Sequence, residues 1–527
     1  MGSREVKGSR TGGDDLDEPE VRPDEPGEPA VDAPEDQYLS GATKDPETEQ
    51  SLGTRTIHGM FWSYGSYVGG RIMVLVAIAI LARLLSPRDF GLVALATALT
   101  ALLETIKDFG LGQALIVGKE EDLQERADTA FWWGLGIGAI GCVVVLSSAH
   151  WVAVFYDEPK VLPILAVLSL NFPLKALGAT HEALAQRWMK FNLQTAAQLS
   201  AVAVRGVTGV TLALLGFGPW AIVLGYLAGT ATSTATYWAV VSWRPHFRVP
   251  RGYARELFTF GGTLTAVDVL HGIWASADSL VIGRVLGAAA LGVYGLALRL
   301  PELVILNLSL VAASVLFPAF SKVDFDRLRD VLVRALRYTM IIGAPVAAGM
   351  IVLGDSIIPA LFGDQWTDAV APMRMICLYS LLLTLEIPGG TIFKVTGRAS
   401  ILLKLAILRT ILLYVMLIFF AENGLVAVAA CLAAVTALFC AIAIRIACKV
   451  TGASIVQILA GWWAPLVSAA GTGAAMYLAT ESISGDWPRI IVGVLVGAVT
   501  YAALLWMTAR DALDYLLRKA MPQLSRA

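Results

Sequence analysis

The chain alternates long apolar stretches with short polar connections. Apolar runs lie near 57–83, 91–117, 130–152, 162–184, 193–215, 219–242, 257–283, 291–316, 338–354, 370–392, 405–420, 425–444, 457–479 and 490–508. Most approach or exceed the roughly 20 residues that carry an α-helix across a bilayer. None alternates with the period of 2 expected of a barrel strand, and lipid tolerates only helices and closed barrels. The pattern predicts an all-α integral membrane protein of about 14 transmembrane helices. The polar connections fall into two sets. With the N-terminus inside, the inner set is 118–129, 185–192, 243–256, 317–337, 393–404, 445–456 and the tail from 509, and it holds 22 Lys and Arg. The outer set holds four: Arg88, Lys160, Arg284 and Arg489. Basic residues collect on the cytoplasmic side, so both termini are expected there.

An internal repeat organises the runs. Shifting residues 80–97 by 201 positions onto 281–298 superposes Arg83 on Arg284, Leu85 on Leu286, Gly91 on Gly292 and Ala96 on Ala297. A second echo sets Gly218-Pro-Trp-Ala-Ile222 over Gly424-Leu-Val-Ala-Val428. The echoes follow runs 1 and 7 and precede runs 6 and 12. The unit is therefore six helices, which return the chain to the same side, so the two halves are parallel. Such repeats place a substrate site between two lobes that rock against each other. The expected organisation is a disordered acidic segment over 1–55, an N-terminal lobe over 56–250, a C-terminal lobe over 251–450, and two further helices with a cytoplasmic tail over 451–527.

Composition sharpens this reading. Hydrophobic residues make up 56% of the 527, and charged residues only 16%, against about 25% in soluble domains. A soluble enzyme, a disulfide scaffold and a nucleic-acid binder are excluded as defaults. The net charge of −2 hides an asymmetry. Residues 1–55 carry 6 basic and 15 acidic side chains, and the remainder carries 34 and 27. The acidic head has too few apolar residues to offset the entropy of ordering. No cleaved secretory signal is expected, since no short apolar stretch follows a basic start. Cys142, Cys377, Cys431, Cys440 and Cys448 lie in or beside apolar runs without a CxxC or Cys/His cluster, so neither disulfide nor metal is expected. No phosphate-binding loop, dinucleotide fingerprint or Ser/His/Asp arrangement is present.

Several motifs carry a resemblance. They are Ala82-Arg-Leu-Leu-Ser-Pro-Arg-Asp-Phe-Gly91, Asp108-Phe-Gly-Leu-Gly-Gln-Ala-Leu115, Thr129-Ala-Phe-Trp132 and Gln186-Arg-Trp-Met-Lys-Phe191, then Gly216-Phe-Gly-Pro-Trp-Ala221, Asp278-Ser-Leu-Val-Ile-Gly-Arg284, Leu291-Gly-Val-Tyr294 and Phe317-Pro-Ala-Phe-Ser321. In order and spacing the chain resembles bacterial polysaccharide-transporter flippases of the Wzx type, from about 55 to 450. That family belongs to the multidrug/oligosaccharidyl-lipid/polysaccharide (MOP) exporter superfamily, which also holds the lipid II flippases. The acidic head is outside the family pattern, and many members stop near 12 helices. The resemblance implies a transporter rather than an enzyme, in the bacterial plasma (inner) membrane. It implies a cargo of undecaprenyl-diphosphate-linked glycan, moved from the inner to the outer leaflet. A complex with a polysaccharide polymerase or glycosyltransferases is compatible with it. A small-molecule exporter of the same superfamily shares every feature above except the loop motifs. A polytopic glycan polymerase or ligase would need a larger outer loop than 355–369, which carries Asp355, Asp364 and Asp368.

Charges inside the membrane point to the site. Each costs about 3 kcal/mol at a helix centre on insertion scales, so it faces a cavity or a partner. Arg71, Lys175 and Arg205 have no acidic residue within a helical turn. They are candidates to hold the diphosphate, the alternative being interhelical salt bridges. Glu104, Lys107 and Asp108 share a helix face, so local neutralisation of Lys107 is expected. Arg299 and Glu302 are three apart around Pro301, and Asp278 and Arg284 belong to a turn motif; these charges are expected to be structural. Asp268 and His271, and Glu386 before Pro388, are candidates for H⁺ or Na⁺ coupling or for counter-ions. No other cofactor is expected. Pro173, Pro301, Pro345 and Pro388 are candidate gating points.

Overall fold

The computed structural model describes residues 69–107, 112, 115–116, 123–247, 272–274, 276–306 and 327–508. Among these the secondary structure is helical throughout. The elements are α1 (69–84), α2 (Pro87–Lys107), α3 (Leu123–Phe155), α4 (Val161–Leu168), α5 (Asn171–Arg187), α6 (Phe191–Leu214) and α7 (Pro219–Val240). After them come α8 (Ala277–Val285), α9 (Gly287–Pro301), α10 (Leu328–Phe362), α11 (Val370–Val395), α12 (Ala399–Phe420), α13 (Leu425–Thr451), α14 (Ile455–Thr480) and α15 (Asp486–Thr508). Every one of the 14 apolar runs contains a described helix. Among the described residues, ten helical segments are long and apolar enough to cross a membrane.

The short connections have local causes. Pro87 opens α2, where its missing N–H costs nothing. Ser86 and Asp89 cap each other, with the Ser86 hydroxyl donating to Asp89 Oδ2 at 2.7 Å. Gly218 and Gly424 precede α7 and α13 with φ of +56° and +98°, backbone that a side chain disfavours. These are the two glycines of the second sequence echo, so the echo marks one turn used twice. Two boundaries differ from the sequence pattern. Helix α10 runs for 35 residues, so most of 355–369 is helix rather than loop, and Asp364–Ala369 forms a 3-10 turn. Its start at Leu328 also draws Arg329, Arg334 and Arg337 of the basic connection into helix. Pro345 and Pro388 lie inside continuous helices. Ser169 and Leu170 separate α4 from α5 just before Pro173, and Glu302–Leu306 forms a π-helical turn after Pro301.

The first echo also has a structural counterpart. A Cβ on Gly91 would overlap the carbonyl of Ala288, and one on Gly292 would overlap the carbonyl of Pro87. Ala288 is Pro87 shifted by 201, so the contact is reciprocal: each lobe offers the same glycine to the same backbone position of the other. Small residues let membrane helices approach this closely. Nearby, Trp366 Nε1 donates to Ala82 O at 2.8 Å and Gln365 Nε2 to Leu85 O at 3.2 Å. Arg83 in turn donates to Leu361 O at 3.3 Å. The C-terminal carbonyls of α1 and α10 are thus satisfied across the lobe interface. The lobes are packed shut at this end, away from the basic connections. Helices α14 and α15 pack on α10, where Tyr501 donates to Ile341 O at 2.7 Å.

Candidate functional site

Three neighbouring helices bring the polar chemistry of the first lobe together. Glycines let α7 press against α6: a Cβ on Gly225 would lie 2.9 Å from Arg205 O, and one on Gly229 would lie 2.9 Å from Ala201 O. The other side of α7 is tied to α5, with Thr234 donating to Leu174 O at 3.0 Å and Trp238 to Leu177 O at 2.8 Å. Tyr226 is thereby held between Lys175 and Arg205. The Lys175 ammonium donates to the Tyr226 hydroxyl at 3.1 Å and lies 5.5 Å from the ring centroid. The Arg205 guanidinium lies 4.7 Å from the same centroid.

Glu104 completes this cluster. Its Oε2 accepts from Lys175 at 2.6 Å, and its Oε1 accepts from Asn171 Nδ2 at 2.6 Å. Glu104 thus has partners on α5; the expected local neutralisation of Lys107 falls on the Lys107 side chain and Asp108, which lie outside the described residues. Lys175, Arg205, Tyr226, Glu182 and Thr230 line a cavity of about 370 Å³. Arg205 also lines a cavity of about 170 Å³ between α1, α2, α6, α7 and α9, and Arg299 reaches this second cavity from the other lobe. Among the described residues no carboxylate is paired with Arg205, so this accessible guanidinium carries its charge into both cavities. Arg71 is exposed on α1 and lines neither.

The remaining candidates are dispersed. Asp268 and His271 lie outside the described residues. Asp278 is buried on α8 and accepts from the Tyr294 hydroxyl at 2.9 Å and from Ser279 N at 2.7 Å. Arg284 lies 5.7 Å from the Phe155 ring centroid. Arg299 and Glu302 form an exposed i,i+3 pair at 3.9 Å. Glu386 accepts from Arg409 at 2.7 Å; Arg409 also donates to Thr436 at 2.9 Å and lies 4.8 Å from the Trp274 centroid. Trp274, Glu386 and Arg409 border a mostly apolar cavity of about 850 Å³ in the second lobe. The five cysteines are free.

Sequence reasoning passed over Arg409 and Tyr226. Arg409 carried a signal, a lone cation within an apolar run. Tyr226 carried none, because an aromatic residue in a membrane helix is unexceptional.

The polysaccharide biosynthesis protein family model matches residues 80–371. The lipopolysaccharide biosynthesis protein WzxC of Escherichia coli is 30% identical over 368 residues, 69% of this chain and 74% of that one. This chain belongs to the polysaccharide biosynthesis protein family. Another relative, the succinoglycan biosynthesis transport protein ExoT of Rhizobium meliloti, is 27% identical over 88% of this chain and 96% of its own. Among solved structures, the lipid II flippase MurJ in an inward closed conformation matches with a TM-score of 0.72 at 13% identity. That match covers 86% of this chain and all of MurJ, and it establishes a common fold. The family member described here is a multi-pass membrane transporter that shares the MurJ fold.

Proposed function

We propose that the protein moves an undecaprenyl-diphosphate-linked oligosaccharide from the cytoplasmic to the outer leaflet of a bacterial plasma membrane, supplying exopolysaccharide or O-antigen-type synthesis. The convergence of Lys175 and Arg205 on one ring, with Arg205 lacking a paired carboxylate among the described residues, is the observation that carries this reading. An anionic head group needs cations that are accessible and incompletely neutralised, and an Arg fork matches a phosphoryl group bidentately. The relatives' names place them in lipopolysaccharide synthesis and polysaccharide transport, and the solved neighbour is named a flippase of another lipid-linked precursor.

With both termini cytoplasmic, the closed end at Gly91, Gly292 and Trp366 faces outward. The conformation is then one that takes cargo from the inside, and alternating access requires that contact to part. The shared glycine contact suits such a gate, because parting it breaks van der Waals packing and a few side-chain to backbone hydrogen bonds but no ion pair among the described residues. Coupling to an H⁺ or Na⁺ gradient supplies the energy in this reading. Asp268 and His271 remain its coupling candidates, while Glu386 serves as counter-ion to Arg409. Polymerases and glycosyltransferases acting on the same carrier are the expected partners.

The test is reconstitution in proteoliposomes with a fluorescent prenyl-diphosphate oligosaccharide, its outer-leaflet fraction read by a membrane-impermeant quencher. The wild type accelerates translocation, and Arg205→Ala and Lys175→Ala slow it at least tenfold. No acceleration by the wild type, or wild-type rates in both variants, would sink the proposal.

A further inference from the structure

Two cations held near one another in a membrane repel, and a core aromatic beside them could be packing and nothing more. Tyr226 makes contacts that packing does not require. It lines the cavity, is only half-buried, and engages each cation by a different part of the side chain. Its hydroxyl accepts from Lys175, while its ring lies 4.7 Å from the Arg205 guanidinium. We infer that Tyr226 is a positioning residue that sets the spacing and the free donors of Lys175 and Arg205, so that the site selects two linked phosphoryl groups over one. This inference rests on the diphosphate reading above.

Donor arithmetic supports it. An ammonium has three N–H groups. Lys175 gives one to Glu104 and one to Tyr226, which leaves one for a ligand. A guanidinium carries its five donors in its own plane. An aromatic ring therefore holds Arg205 through cation–π attraction without consuming those donors. The site accordingly presents a planar fork and a single separate donor, both referred to one ring. A lone phosphate saturates the fork and gains little from Lys175. A diphosphate offers a second phosphoryl group to that remaining donor.

The ring's placement is itself fixed. Gly225 and Gly229 flank Tyr226 on α7, and their close approach to Ala201 and Arg205 sets the distance between the two helices. Removing the ring leaves the glycine packing in place, frees the Arg205 guanidinium and leaves Lys175 held by Glu104 alone.

The purified full chain in detergent tests the inference, with inorganic pyrophosphate and inorganic phosphate as probes and calorimetry as the readout. The wild type is expected to prefer pyrophosphate. Tyr226→Phe keeps the ring under Arg205 and loses the acceptor for Lys175, so its preference is expected to fall between those of the wild type and Tyr226→Leu. Tyr226→Leu loses both, and its pyrophosphate affinity is expected to fall about tenfold while phosphate affinity changes less than about twofold. A thermal melt checks that each variant folds, and Tyr226→Gln replaces the leucine variant if it does not. If the ringless variant keeps the wild-type ratio while Arg205→Ala abolishes pyrophosphate binding, the positioning role is wrong and the diphosphate reading stands. If the wild type binds no pyrophosphate, both are overturned.

Discussion

The two lobes carry the same polar ingredients and use them differently. Each has a glutamate bonded to a cation, at 2.6 Å for Glu104 and Lys175 and at 2.7 Å for Glu386 and Arg409. Each sets that cation near an aromatic ring, Tyr226 in the first lobe and Trp274 in the second. The second lobe stops there. Arg409 spends its donors on Glu386 and Thr436, with only 11% of its side chain exposed. The first lobe adds Arg205 to the same ring, bonded to no carboxylate among the described residues although Glu182 lines the same cavity. In one cluster the cation is bonded to its carboxylate; in the other a second cation, Arg205, is bonded to none among the described residues. Ion pairs of similar length thus say little about function, whereas the balance of charge around each pair separates scaffold from site.

The largest effect is expected from opening the closed cluster. Arg409→Ala leaves Glu386 partly buried without its cation and should cost about 3 kcal/mol, since breaking such a pair strands a charge. A denaturation series in detergent would measure it, and the double variant Glu386→Leu/Arg409→Leu should recover most of the loss. If the single and double variants melt alike, the pair is not a structural unit.

The open cluster should respond in transport rather than in stability. Arg205→Ala is expected to slow translocation by about 10- to 100-fold, the equivalent of one or two charged hydrogen bonds, with a melting curve close to wild type. A large melting shift would instead make Arg205 a structural charge like Arg409. The comparison sharpens further if the first lobe is given what it lacks. Ala201 stands one turn before Arg205 and lines the same cavity, so Ala201→Asp supplies an i,i+4 carboxylate. Translocation should fall about tenfold with stability unchanged, because the spare charge is now neutralised. Undiminished transport would show that the spare charge is not what the cargo meets.

The smallest expected effect is Thr436→Val. It removes one hydrogen bond from Arg409 and keeps the ion pair, so a loss of about 1 kcal/mol is expected. A loss as large as that of Arg409→Ala would mean that Thr436, rather than Glu386, anchors the guanidinium.

Much of the architecture was legible in the linear pattern. Apolar runs identify membrane helices because lipid leaves the backbone no other way to satisfy itself. The echoes at Gly91/Gly292 and Gly218/Gly424 were legible because glycine stands where the fold admits no Cβ or needs positive φ. The reciprocity of the first contact was not, since a shift of 201 residues does not say that the two copies touch. Charge partners were also hidden. Spacing along one helix gave no sign that Glu104 bonds Asn171 and Lys175 on another, and Arg409 was passed over altogether.

The sequence by itself determined the helical class, the span pattern, the expected sidedness and the repeat. These follow from hydropathy and from the placement of glycine and basic residues, which act locally. The tertiary structure alone decided which intramembrane charges meet. Glu104 and Lys175 are 71 residues apart, and Tyr226 lies 51 beyond Lys175. Their meeting depends on the rotation of each helix about its axis and on the glycines that set how closely α6 and α7 pack. Those quantities belong to pairs of helices in contact and are written in no single stretch of chain.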